Sequence, residues 1–490
     1  MISILVFIGI LFLAIIAFFS LAFVVSSIWE REGRAALIGG FISCVLLGLI
    51  AGLVVIRETG FFQTTIGLTL LLAGLIAMAG AFLLLSTRTA QNPRALKGTK
   101  GYVVGEAERF DERNQVFARN RSLPPDAEQY RAFYREHPQW EAFDAERRKR
   151  GGPLGVPGII DKPHEGPNVA ALLSTFSVPP HLGRLDVVQP KAHPHFHGGK
   201  ISLSPEEATA RVKGFARHVG ADLVGIAETD PLWVYARRGE IFYDNWEQWG
   251  EEIHVDHQYA VVFAVEMSRD MVRTAPHTPS VIETGLIYAK AAFIATLLGS
   301  FIANLGYSAT ANHLRHYDVL LVPMAVDAGL GEVGRLGYLM TREFGPRVRL
   351  GCVTTDLPLV PDRPVDIGVE GFCSLCKKCA LCCPSRSIPV DDLREVGGTL
   401  RWKLNAETCF EYWGKAGTDC NICMMVCPWS HRRTLPHRAI TEMVSRSRIA
   451  RSVFSPLDDL FYGRKPKPCS FVEWADFTQG KRRESNDGLK

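Results

Sequence analysis

Between Cys373 and Cys383 the chain places five cysteines in eleven residues: Cys373, Cys376, Cys379, Cys382 and Cys383. Cys409, Cys420, Cys423 and Cys427 follow, so nine of the twelve cysteines lie between 373 and 427. A secreted disulfide framework spreads its cysteines along a short chain. Local clustering in a chain of 490 residues points to thiolate ligation of metal or iron–sulfur instead.

The first run, Cys373-x2-Cys376-x2-Cys379-x3-Cys383-Pro, has bacterial ferredoxin spacing. There three thiolates converge on one [4Fe–4S] cluster from a tight loop, and the fourth reaches a second cluster. The second run, Cys409-x10-Cys420-x2-Cys423-x3-Cys427-Pro, keeps that spacing in its last three members and lengthens the first gap. The crossover rule assigns Cys373, Cys376, Cys379 and Cys427 to one cluster. Cys383, Cys409, Cys420 and Cys423 take the other. A structural zinc would need four ligands rather than eight. Cys382, Cys44, Cys352 and Cys469 are left as core or membrane cysteines. Two clusters conduct electrons without transforming anything, so a reacting centre is expected elsewhere in the chain.

The elements that carry these residues divide at about residue 90. Residues 2–28, 35–56 and 63–86 contain no charge, and each is long enough to cross about 30 Å of hydrocarbon as a helix. The first span lacks the basic n-region of a cleavable signal, and no twin-arginine precedes it. Arg31, Arg34, Arg88, Arg94, Lys97 and Lys100 flank one side of these spans, against Arg57 on the other. The positive-inside rule then predicts an outside N-terminus and a cytoplasmic soluble part on the inner membrane. No histidine precedes His137, so the spans lack axial ligands for a b-type haem.

Residues 91–200, rich in Pro, Gly and charge, read as linker and peripheral structure. From 201 to 365, helices alternate with strands. Ser204-Pro205 opens a capped helix. Residues 221–227 and 259–267 read as buried strands, and a long apolar helix occupies 284–305. Val319-Leu-Leu-Val-Pro323 and Val348–Thr355 read as further extended segments. The fold class is α/β (α+β). Residues 366–435 form the cysteine module, and 436–490 an extension expected to pack on the core. Net charge is +4, which gives nucleic-acid binding no support.

Several stretches resemble the corrinoid-dependent reductive dehalogenases: Asp327-Ala-Gly-Leu-Gly-Glu-Val-Gly-Arg-Leu-Gly-Tyr338, Glu343-Phe-Gly-Pro-Arg-Val-Arg-Leu350, Thr355-Asp-Leu-Pro-Leu359, Trp233-Val-Tyr-Ala-Arg-Arg-Gly239 and His257–Met267. With the paired ferredoxin runs, the resemblance covers about residues 170–475. It implies a nitroreductase-like core holding base-off cobalamin, two [4Fe–4S] clusters that reduce it, and an organohalide that loses halide. It also implies a tyrosine proton donor supported by a cation.

Tyr288 matches the donor, with Thr284 one turn earlier on the same helix face. A phenol needs a neighbouring cation to stabilise its phenolate. Arg335 is the candidate cation and Arg347 the fallback. Asn312 matches a pocket asparagine. Gly329 and Gly331 suit close backbone approach to the corrinoid better than a dinucleotide fingerprint. His193, His195 and His197 read as a solvated loop, with metal chelation the alternative.

Family members usually pair with a separate three-span anchor. Here Trp29-Glu-Arg-Glu32 resembles the Glu-x-Glu pair of those anchors, so anchor and enzyme read as fused, with the lipid bilayer and a quinol as partners. Two alternatives stand beside this reading: an epoxyqueuosine reductase-like enzyme acting on tRNA, and a membrane electron-transfer subunit with no substrate of its own.

Overall fold

The computed structural model describes residues 2–87, 91–122, 126–149, 165–182, 200–240, 248–314, 316–469 and 473–475. His193, His195 and His197 lie outside these residues. The chain forms two compact units.

The first unit comprises Met1–Gln91, Ile367–Cys376 and His431–Lys465. Its helices Ile2–Trp29, Gly33–Glu58 and Thr65–Ser86 carry the three apolar spans. Side chains such as Leu37, Phe41 and Ile76 are more than two-thirds exposed, as a hydrocarbon environment requires and water does not favour. Small residues let the first two helices approach: Gly39 faces Phe23 and Val24, and Ser20 Oγ pairs with Ser43 Oγ at 2.8 Å. The helices Leu435–Arg446 and Arg448–Tyr462 pack against these spans. The 436–490 extension was expected on the core. Residues up to Lys465 instead join the membrane helices, through contacts such as Phe23 against Phe461 and Tyr462. At the end of the first span Glu30 is 2% exposed, with its Oε1 4.0 Å from His437 Nδ1.

The second unit comprises Asn92–Asp366, Lys377–Ser430 and Pro466–Lys490. Its centre is a four-stranded antiparallel sheet. The strand order is Leu223–Glu228, Tyr259–Glu266, Val348–Thr355, Ala309–Asn312. Tyr259–Glu266 is central and buried on both faces, hence its unbroken apolar run. Alternation along the strands sorts the core into two layers. Val224, Ile226, Val261, Phe263 and Val353 face the helices Pro205–His218 and Thr278–Asn304. Ala260, Val262, Ala264, Leu350 and Cys352 face the helix Leu321–Asp327.

That last helix corrects the extended segment read at 319–323. Only Val319 bridges to Val234, and the chain then turns helical. Pro323 falls in the first turn, where its missing N–H costs nothing, and Met324, Ala325 and Val326 bury a face on the sheet.

Four helices among the described residues are long and apolar enough to cross a membrane by length and composition. Thr278–Asn304 is the fourth, but 56% of its most apolar window is buried by protein, against 6–17% for the three N-terminal spans. It is the core helix of the second unit.

Region 91–200, read as linker, contributes folded structure to this unit. The helix Glu128–Glu136 buries Tyr130, Phe133 and Tyr134. The helix Pro138–Lys149 buries Asp144, which is 0% exposed and accepts from Arg119 Nε at 2.8 Å, Tyr134 Oη at 2.8 Å and Asn120 Nδ2 at 3.1 Å.

Candidate active site and cysteine-lined cavity

Thr284 and Tyr288 sit one turn apart on Thr278–Asn304, with Val281, and all three line a cavity of about 900 Å³. The strand Val348–Thr355 supplies the opposite side. Residues 348, 350 and 352 face the other layer, so Arg349 necessarily points to the helix. Its guanidinium carbon lies 5.3 Å from the Tyr288 ring centroid, and its Nη2 donates to Thr284 Oγ1 at 3.2 Å. Burial works against the Arg349 charge. Tyr288, Tyr338, Asp419 and Tyr317 around it reverse that and hold it above its ordinary value. The cation beside the phenol is therefore Arg349.

Arg335 and Arg347 correct the sequence expectation. Arg335 is fully buried, donates to the carbonyls of Pro389 at 2.8 Å and Asp391 at 2.6 Å, and stacks on Trp402. Arg347 donates to Ser430 O, Met267 O and Glu266 Oε1. Neither is part of the cavity lining. Both tie loops to the sheet.

Asn312 also stays outside. Its Nδ2 donates to Thr310 O and its Oδ1 accepts from Asp318 N at 2.7 Å, which fixes a buried turn. Gly329 and Gly331 do serve close backbone approach, but to their own chain. A Cβ on Gly329, at φ +72°, would meet Arg363 O, and one on Gly331 would meet Met340 O. Neither lines the cavity.

A smaller cavity is lined by Cys383, Cys409, Cys420 and Cys423, the set that the crossover rule groups. Burial, before neighbouring negative charge, raises three of the four thiols: Cys409 to about 11, Cys420 to about 12 and Cys423 well above the ordinary value. The local fold brings them together through backbone turns. Cys420 and Asn421 have φ of +67° and +55° before the short helix Ile422–Met425, and Lys377 has φ of +53° before Lys378–Leu381. These two helices pack on each other.

Cys379 and Cys427 belong to the same unit, Cys373 and Cys376 to the first. Cys382, next to the ligand set, lies outside the small cavity, and Cys352 is a buried sheet residue. Among the described residues no three His, Cys, Asp or Glu side chains converge tightly enough to hold a single metal ion. A cube of iron and sulfide holds its thiolates farther apart than one ion does.

The two cavities share a wall. Tyr338, Leu404, Cys409, Trp413, Asp419 and Asn421 line both. Asn421 Nδ2 donates to Asp419 Oδ1 at 2.7 Å and to Thr284 Oγ1 at 3.3 Å. Burial pushes the Asp419 carboxyl up to about 6, against the pull of Arg349. A further part of the lining of the large cavity comes from Gln115, Val116, Phe117, Asn120, Arg147 and Arg148. Sequence reading missed Arg349 and this entire segment. For Arg349 a signal existed: a lone charge inside an apolar strand.

A half-buried phenol beside a cation thus lies one wall away from a cavity lined by four cysteines. The chain is 32% identical over 299 residues to the tetrachloroethene reductive dehalogenase of Sulfurospirillum multivorans, covering 54% of this chain and 58% of that protein. The catabolic reductive dehalogenase NpRdhA matches in structure at a TM-score of 0.57 and 26% identity, over 74% of this chain and 48% of that one. A second solved reductive dehalogenase, described through B12-dependent dehalogenation, matches at 0.56 and 25%, over 74% and 48%. No protein-family model matches the chain. The chain is thus similar in sequence and in fold to reductive dehalogenases, and it spans about half the length of the curated relatives it matches.

Proposed function

We propose that this protein is a membrane-anchored reductive dehalogenase that replaces the halide of an organohalide with hydrogen. The observation that carries the reading is Tyr288 under Arg349 in a 900 Å³ cavity that shares a wall with the four-cysteine cavity. The net change consumes two electrons and one proton and releases halide.

The large cavity suits a base-off cobalamin in a nitroreductase-like core. It has the volume for a large flat ligand, an aromatic and polar lining, and no histidine among its described lining residues to take an axial position. Bound there, the corrinoid supplies a strongly reducing cobalt for cleavage of the carbon–halogen bond. In the ferredoxin-like module, Cys383, Cys409, Cys420 and Cys423 hold one [4Fe–4S] cluster. Cys373, Cys376, Cys379 and Cys427 hold the other.

Tyr288 gives its phenolic proton to the carbon that loses halide. Arg349 stabilises the phenolate so formed, since a cation over the ring favours the charged form. Thr284 holds the guanidinium, and Asn421 holds Thr284 in turn. Tyr235, Tyr317 and Tyr338 stay protonated, because burial raises each well above the ordinary phenol value.

In this reading the three apolar helices anchor the enzyme in the inner membrane as a multi-pass protein, the basic flanks support a cytoplasmic catalytic part, and quinol is the donor. Anaerobic reconstitution in detergent tests the reading. About one cobalt and eight irons per chain, with halide release, is expected. Eight irons without corrinoid uptake would leave an electron carrier and remove the roles of Tyr288 and Arg349.

A further inference from the structure

Ten residues separate Cys409 from Cys420, where a ferredoxin loop has two. They continue the helix Ala406–Ala416, which Asn405 caps by accepting from Glu407 N and Thr408 N and which Gly417 ends at φ +79°. Cys409 sits in the first turn, so Trp413, one turn on, shares its helix face. The indole of Trp413 hydrogen-bonds the Cys409 sulfur. An indole offers only its N–H, so it is the donor. Its ring packs against Phe117 and Phe410, with centroids 5.5 and 6.0 Å away. Cys409 and Trp413 each line both the large cavity and the small one.

Other sulfurs of this set also meet donors. Cys383 Sγ accepts from Ser387 N at 3.3 Å and lies 3.4 Å from Ser385 Oγ, and Cys420 Sγ accepts from Ile422 N. Donors aimed at clustered sulfurs fit the negatively charged thiolates of an iron–sulfur cluster. Of these donors, only the indole belongs to a residue that also lines the large cavity. Reduction adds one electron to a cluster, and its sulfurs carry part of the added charge. A hydrogen bond to a sulfur is therefore stronger in the reduced state and raises the potential. A gap of two residues has no place for a side chain one turn after the ligand. The lengthened gap supplies one.

We infer that Trp413 sets the potential of the cluster held by Cys383, Cys409, Cys420 and Cys423, through its N–H on the Cys409 sulfur, and that the lengthened gap is what places it there. This rests on the two-cluster reading above. Trp413 acts through a ligand and is not itself a reacting group. The test is an anaerobic redox titration of full-length, cluster-loaded protein in detergent, read by electron paramagnetic resonance of the reduced clusters. Trp413→Phe keeps an aromatic ring against Phe117 and Phe410 and removes the N–H. It should lower the midpoint of one of the two clusters by about 59 mV, a tenfold weaker preference for the reduced state. Replacement of the Trp413 indole by benzothiophene, which keeps the shape and has no N–H, should give the same shift. Phe410→Leu, which disturbs the packing and spares the N–H, should give none. An unmoved midpoint in the benzothiophene protein, loss of its cluster, or an equal shift in Phe410→Leu would overturn the role of Trp413. Fewer than about eight irons in wild type would overturn the two-cluster reading itself and the role with it.

Discussion

Two of the walls of the large cavity are of different making. One is the helix Thr278–Asn304 against the strand Val348–Thr355, where regular elements fix side chains by periodicity. The other is the segment 115–148, short helices held by a buried carboxylate. The first wall carries Tyr288 and Arg349 on regular elements. The second is organised around Asp144, which pairs with Arg119 and accepts from Tyr134 and Asn120.

The largest effect should come from Asp144→Ala. It takes from Arg119, which is 1% exposed, its buried partner and leaves Glu407 as the remaining carboxylate, while Tyr134 and Asn120 lose their acceptor; breaking a buried pair costs about 3–5 kcal/mol. Thermal unfolding should show a large drop in Tm, with loss of corrinoid affinity where protein survives. If Tm barely moves, the second wall is not held as described.

Next is Tyr288→Phe, expected to lower dehalogenation about a hundredfold or more while cobalt and iron contents stay at wild-type levels. Retained turnover in a halide-release assay would remove Tyr288 from the reaction. Arg349→Met should cost about tenfold or more in the same assay, and Arg335→Met should leave turnover near wild type wherever the protein folds. Reversal of those two results would restore the cation assignment read from sequence.

The smallest effect concerns Glu112, on the second wall's flank. Burial, then the Glu240 carboxylate, pushes its carboxyl up to about 8. The folded state therefore holds a proton that the unfolded chain has lost between its ordinary value of 4.5 and about 8, and stability falls as pH rises through that window. Glu112→Gln should raise Tm at pH 8 and leave it unchanged near pH 4. An equal shift at both pH values would contradict this.

The contrast between the walls also marks what the sequence made legible. Thr284 and Tyr288, singled out by the resemblance, line one cavity because an i, i+4 pair on a helix shares a face. The cysteine grouping followed from spacing alone. Arg349 was missed because strand parity decides which layer it meets, and that depends on pairing partners far away in sequence. Arg335 was preferred for its glycine-rich setting, yet its guanidinium is absorbed by the Pro389 and Asp391 carbonyls, more than fifty residues on. The 91–149 segment read as linker and peripheral structure because its one apolar helix face, Tyr130, Phe133 and Tyr134, is short, and the rest of its order comes from an ion-pair hub around Asp144. The helices after 435 looked like core extension because nothing in their composition names the surface they cover.

One helix has a consequence for how the protein is made. Thr278–Asn304 has the length and apolarity of a span, and it leaves the ribosome after three segments destined for lipid. At that moment the strands Leu223–Glu228 and Tyr259–Glu266 exist, but Ala309–Asn312 and Val348–Thr355 do not. If the three N-terminal helices insert as proposed, a nascent chain tethered at the bilayer must keep this fourth segment out of it with half a sheet. Correct topology is then a matter of timing during synthesis, and slowed folding would produce a wrongly inserted protein before an unstable one.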